Sequence, residues 1–223
     1  MRKIALLLFI MGIMIGSLSA SEEQLQFRLL QTEEYNLSVS ISTVINRFYA
    51  STEFVIDADK LAQADYYSFF IGKQAYLERI KIDGQSVPFS YTWGLDPRHF
   101  EPVLTREDLL NPDAGVYCVS LARDVFKGKK GMVTISMGYK MMIPDWMMAD
   151  DGRNVLEWNS RDCFFPRNPE QSSVVNIDLL TTVFYTVDNP LSVSDQGDIR
   201  RIKLRLIDTP QDNAKLTLYK ALN

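Results

Sequence analysis

Histidine is almost missing from this chain of 223 residues: His99, in "GLDPRHFEP", is the single one. A Ser-His-Asp or Cys-His centre would have to use it, because the general base of such sites near neutral pH is most often histidine. No G-x-S-x-G elbow accompanies it, and we read His99 as a loop residue without a catalytic role. One histidine also excludes the H-E-x-x-H zinc motif, which needs two. With two cysteines it falls short of the four Cys and His ligands of a structural zinc site. A basic excess is missing as well. Lys and Arg number 24 against 28 Asp and Glu, for a net charge of -4, which is not the footprint of a nucleic-acid-binding surface. No glycine loop of the phosphate-cradling kind is present. Gly84, Gly128, Gly152 and Gly197 each fall in a turn candidate, where glycine supplies positive φ. No internal repeat, low-complexity tract or linker interrupts the sequence, so one domain over residues 21–223 is the simplest organisation.

What is present begins with a leader, "MRKIALLLFIMGIMIGSLSASEEQ". Arg2 and Lys3 form a positive start, and Ile4 to Ile15 is an apolar run short for a membrane span. Ser17 and Ser19 supply the small-x-small pattern of a cleavage site, with a cut after Ala20 as the alternative. Residues 1–20 are therefore expected to be a secretory signal, and the mature protein periplasmic or extracellular. No later stretch is apolar enough to cross a membrane.

The remainder alternates with a period of two, the mark of strands whose side chains point to opposite faces. "LSVSISTVI", "GVYCVSL" and "GMVTISMGY" alternate, and "RIKLRLI" sends Ile202, Leu204 and Leu206 one way and its basic residues the other. In "VVNIDLLTTVFYTV" the residues Val175, Ile177, Leu179, Val183, Tyr185 and Val187 share one parity. "RIKIDGQSVPFSYTW" reads as a hairpin, with Ile80 and Ile82 before an Asp83-Gly84 turn and Val87, Phe89 and Tyr91 after it. The one helical candidate is "DADKLAQADYYSFF", Asp57 to Phe70. Short strands separated by Pro, Gly, Asn and Asp turns predict an all-β, single-domain sandwich, saddle-like and mostly antiparallel, with at most one short helix.

Three residue groups invite a chemical reading. Cys118 and Cys163 are an even pair, and in an oxidising compartment a pair suggests one disulfide, worth at most about 4 kcal/mol for a loop of this length. Two buried thiols are the other possibility. The acidic pairs Asp57 with Asp59, Asp150 with Asp151 and Asp195 with Asp198 match the residue type of a carboxylate hydrolase, but their spacing selects no pair across a fold. We read them as turn formers. In "YKMMIPDWMMADDG" the side chains Met141, Met142, Trp146, Met147 and Met148 crowd together. Thioether sulfur is a soft ligand for Cu(I), but methionine also fills core gaps and lines adaptable binding surfaces. We take these five as a candidate binding surface, with copper as the alternative, and expect no resident metal or cofactor.

The order of these features resembles the N-terminal β-sandwich of zinc aminopeptidases of the aminopeptidase N type. "YNLSVSI" and "FYASTEFVID" resemble its opening strands, and "AYLERIKIDGQSVPFSY" its hairpin. "GVYCVSLARDVFKGKKGMVTISMGYK" resembles its strand, turn and strand ending in tyrosine. "DCFFPRNPEQSSVVNIDLLTTV" resembles the aromatic-proline segment that leads into the next long strand. The likeness runs from Tyr35 to about Lys220. In that family the chemistry lies in a following thermolysin-like domain with H-E-x-x-H, a downstream glutamate and G-x-M-E-N, and none of these occurs in the 223 residues. No catalytic or metal residue carries over. The resemblance implies a non-catalytic accessory module that binds a protein or envelope component. A carboxylate hydrolase, or one part of a peptidase acting in trans, is the alternative.

Overall fold

The computed structural model describes residues 26–42, 47–92, 116–143, 154–159 and 163–220. Strands hold 66% of the described residues. In order they are β1 (Phe27–Leu29), β2 (Glu34–Ser42), β3 (Arg47–Asp57), β4 (Tyr66–Gly72), β5 (Ala75–Ile82), β6 (Gln85–Val87), β7 (Ser90–Thr92) and β8 (Val116–Ala122). β9 (Met132–Met142), β10 (Asn154–Asn159), β11 (Ser173–Thr182), β12 (Tyr185–Val187), β13 (Ser192–Gln196), β14 (Ile199–Asp208) and β15 (Lys215–Lys220) follow. Among the described residues they assemble into an eight-stranded sheet in the order β13-β14-β11-β2-β3-β9-β5-β6. A four-stranded sheet β1-β4-β8-β7 and a three-stranded sheet β10-β15-β12 complete the fold. The all-β sandwich expected from the periodicity is the fold observed.

The large sheet obeys its period closely. Tyr35, Leu37, Val39 and Ile41 of β2 are buried while the residues between them face water. β3 buries Phe48, Ala50, Thr52, Phe54 and Ile56, and β9 buries Val133, Ile135, Met137, Tyr139 and Met141. These inward side chains meet Tyr67, Phe69 and Ile71 of β4, Val119 and Leu121 of β8, and Leu156, Trp158, Leu216 and Leu218 of the small sheet in one hydrophobic core. Aromatic pairs knit the layers. Trp158 lies edge-on to Phe48 at 4.9 Å between centroids, and Tyr35 packs against Phe54 and Phe165, each at 5.2 Å.

Burial of Tyr139 is tolerated because its hydroxyl donates to the Phe164 carbonyl at 2.8 Å. Loss of water pushes the Tyr139 phenol far above its usual range. Tyr139→Phe strands that buried carbonyl and is expected to lower unfolding stability by about 1–2 kcal/mol, measured by urea denaturation.

The hairpin β5–β6 turns at Asp83 and Gly84, both at positive φ (49° and 80°), as a two-residue turn of the hairpin type requires. The Asp83 carboxylate accepts from Thr134 N at 3.0 Å and from Lys129 Nζ at 2.6 Å. Those bonds hold its carboxyl below the usual range. A depressed carboxyl contributes stability above its ordinary value, and that contribution is lost as pH falls through the depressed one. Alanine at Gly84 finds open space but the wrong hand of backbone, so Gly84→Ala is expected to lower stability by about 1–2 kcal/mol in a chemical melt.

Three features depart from the sequence expectation. The helix over Asp57 to Phe70 reduces to one 3-10 turn, Ala58–Lys60, started by the Asp57 side chain accepting from Asp59 N. From Tyr66 onward the segment is strand β4, buried on both faces, and a helix-like apolar density was its only disguise. The run from Val175 to Val187, read on one parity, breaks after Thr182, with β11 in the large sheet and β12 in the three-stranded one. β6 and β7 likewise part company, because β7 crosses to pair with β8.

Candidate binding surface

The face of the large sheet turned away from the core exposes, wholly or in part, every second residue of β2, β3 and β9. Strand register sets its composition. Tyr49 of β3 stands opposite Lys140 of β9, and Lys140 stands opposite Tyr76 of β5. On the other side Ser40 of β2 is in register with both Tyr49 and Leu180 of β11, and Leu180 with Arg201 of β14. One row therefore runs Arg201, Leu180, Ser40, Tyr49, Lys140, Tyr76 across six adjacent strands. Arg47 and Met142 are paired in the next row. Tyr76 keeps 62% of its surface exposed. The Lys140 ammonium sits 4.8 Å above its ring and 3.2 Å from Glu78 Oε1. Below this row the floor is small: Ser38, Ser51 and Gly138 lie side by side on β2, β3 and β9. The Arg79 guanidinium lies over Gly138, reaching 3.9 Å from where a Cβ would stand. Arg79 faces outward because the register slips between Leu77 and Arg79, a bulge that turns both Glu78 and Arg79 to water.

Of the five residues expected to form a binding surface, the structure separates the two it describes. Met141 continues the inward parity of Met137 and Tyr139, lies in register with Phe48 and Ala75, and is 3% exposed. It is core, and its place in the expected surface is corrected. Met142, one residue on, points the other way and is 55% exposed. The same alternation keeps their two sulfur atoms from facing one ligand, so a copper site drawing on both is not built here. Trp146, Met147 and Met148 lie outside the described residues, as do His99, Asp150 and Asp151. Among the described residues no group of three or more His, Cys, Asp or Glu gathers that would hold a metal ion.

Cys118 and Cys163 are both buried thiols and both pack with Phe70 and Val116. They lie on opposite flanks of β4. Cys118 of β8 is in register with Phe70, whereas the Cys163 carbonyl accepts from Gly72 N on the other edge. Phe70 N and O both bond Arg167 on that second edge. Two strand spacings put the Cα atoms roughly 9–10 Å apart, beyond the ~7 Å that a disulfide bridges. Burial pushes the Cys118 thiol up to about 11, so it stays protonated and unreactive at neutral pH. We expect both thiols to be alkylated by iodoacetamide only in denaturant, with no two-hydrogen deficit by intact mass. Rapid labelling of the folded protein would contradict this placement.

Of the acidic pairs, Asp57, Asp59 and Asp195 serve the fold. Asp57 starts its turn and pairs with Lys60 at 3.2 Å, and Asp59 accepts from Gly131 N at 2.9 Å. Asp195 takes both arms of Arg200, each at 2.8 Å, and Asp178 pairs with Arg201. These partners hold the Asp195 and Asp178 carboxyls below their usual range. A general acid needs the opposite shift.

Sequence reading missed the most deeply buried charges. Arg167 Nε donates to Asp208 Oδ2 at 2.7 Å, and neither side chain reaches water appreciably. Arg167 Nη2 donates to Asn213 Oδ1 at 3.0 Å and Thr209 O at 3.4 Å, and Asp208 Oδ1 accepts from Ala214 N at 3.1 Å. This network ties the "FFPRN" segment to the β14–β15 turn. The one hint in the sequence was a lone arginine among apolar and proline residues.

The fold matches solved structures. An M1 zinc metallopeptidase from Deinococcus radiodurans superposes with a TM-score of 0.56 at 9% identity, over 87% of this chain and 43% of that one. Native yeast LTA4 hydrolase gives 0.56 at 12% identity, over 85% of this chain and 29% of that one. No family model and no curated protein matches the sequence. The chain thus spans less than half the length of these structures. At this identity they establish a fold, that of the N-terminal β-domain of M1 metallopeptidases, as the residue order had implied.

Proposed function

We propose that this chain is an exported, non-catalytic β-sandwich module that holds a protein or envelope component. The observation that carries the reading is the open outer face of the eight-stranded sheet. It presents Tyr49, Tyr76, Met142 and Leu180 to solvent over a small, polar floor. Surfaces combining exposed aromatic, methionine and arginine side chains are characteristic of interfaces. Asp57, Asp59, Asp178 and Asp195 are committed to turns and ion pairs, which supports a binding role over a hydrolytic one. The leader over residues 1–20 supports export. Native mass spectrometry of the protein purified from its own cell envelope tests both halves. The reading expects a mass lacking the leader, accompanied by a bound component. A bare chain that retains residues 1–20 overturns it.

The fold likeness favours a second reading, in which the module works in trans beside a peptidase. Aminopeptidase activity of a partner that rises on adding the purified chain would support it. A rate unchanged at saturating chain would remove it.

A further inference from the structure

The proposal that this module holds a partner leaves its docking side and the partner's chemistry open. We infer that the outer face of the eight-stranded sheet receives an acidic protein surface with an apolar centre, an inference that rests on the binding reading above.

Charge on this face selects an acidic partner. The chain as a whole is acidic, at -4, yet this face collects basic side chains that the protein does not neutralise. Of its carboxylates, Asp178 is taken by Arg201 and Glu78 by Lys140, Glu34 accepts from the Asn176 amide at 2.7 Å, and Glu53 of β3 stands exposed without an ion pair among the described residues, so the basic side chains still outnumber the acidic ones. Among the described residues Arg47, Arg79, Lys81 and Arg205 make no ion pair. Arg79 ends the Ser38, Ser51 and Gly138 row at β5, with Asp178 and Lys203 at its other end; Arg205 and Lys81 end the neighbouring row, which runs through Asn176, Asn36, Glu53 and Ser136, and Arg47 lies further along β3 beside Met142. Desolvating like charges against each other is costly, so a face of this kind seats a partner that brings carboxylates to it.

Side-chain type favours protein over polysaccharide. A sugar ring needs a bare aromatic face, and Lys140 already stands over Tyr76, the more exposed of the two outward tyrosines, at 4.8 Å. Met142 and Leu180 offer apolar contact that hydroxyl-rich chains do not use, whereas protein interfaces pair such anchors routinely. The floor of serine and glycine lets a partner's chain come close to the sheet.

The test uses a glutamate–tyrosine copolymer as the acidic, partly apolar polypeptide. Sodium alginate serves as an acidic polysaccharide, and phosphatidylglycerol vesicles as an acidic lipid surface. Binding to the mature protein is measured by calorimetry at low and moderate salt. The copolymer should bind and weaken with salt, and Arg79→Glu/Lys81→Glu/Arg205→Glu should weaken it by more than about tenfold. Arg28→Glu/Lys127→Glu/Lys220→Glu changes net charge equally away from this face and should leave affinity within about twofold. Tyr49→Ser/Met142→Ser should remove the preference for the copolymer over polyglutamate. Equal loss in both charge variants overturns the assignment of the face. Binding of alginate or vesicles without the copolymer overturns the protein partner but leaves a binding module. Failure of every probe, while the native protein still carries a component, overturns this face alone.

Discussion

Asp208→Ala should lower the unfolding free energy by about 3–5 kcal/mol. The cause is geometric. Arg167 Nε gives its proton to Asp208 Oδ2 at 2.7 Å where the aspartate is 0% exposed, so removing the carboxylate leaves a guanidinium that water cannot reach. The same substitution takes away the acceptor of Ala214 N, which starts the run into β15. The loss should therefore include loosening of the three-stranded sheet. Replacing both partners, as Arg167→Met/Asp208→Leu, should cost less than Asp208→Ala alone, because an apolar pair leaves no buried charge behind. Urea melts of the single and double variants read the difference directly. A double variant less stable than the single would mean that the network does more than neutralise Arg167.

Met141→Ala should cost about 2–5 kcal/mol, whereas Met142→Ala should stay within about 0.5 kcal/mol of the parent. The two residues are adjacent and chemically identical, so the contrast isolates position. Met141 fills the core between Phe48 of β3 and Ala75 of β5, and its removal leaves a cavity among residues that cannot all collapse. Met142 faces water beside Arg47. Met142→Ala should instead show itself in binding. Equal stability losses at the two positions would contradict the strand phase on which the outer face depends.

That phase was legible in the sequence, and the partners across it were not. Alternation alone placed Ile202 and Leu204 inside and Arg201, Lys203 and Arg205 outside, and the Asp-Gly pair marked the β5–β6 turn. Local pattern fails where a strand is buried on both faces. β4 carries no alternation, and its apolar run passed for part of a helix. Local pattern also says nothing about which strands become neighbours. The parallel pairing of β2 with β11 joins residues far apart in sequence, as Leu37 with Ile177. The row Tyr49, Lys140, Tyr76 is a product of that long-range register, so no window of sequence contains it. The methionine stretch drew attention because it is local and dense. Its buried member proved to be packing, while the arginine–aspartate pair that anchors the fold spans positions 167 and 208 and looked ordinary.

The most direct test of the account is native mass spectrometry of complexes from the cell envelope, comparing the parent with Arg79→Glu/Lys81→Glu/Arg205→Glu at matched expression. A complex is expected for the parent and a bare, folded, mature chain for the variant. The same component retained by both, or a bare chain in both, would contradict that expectation.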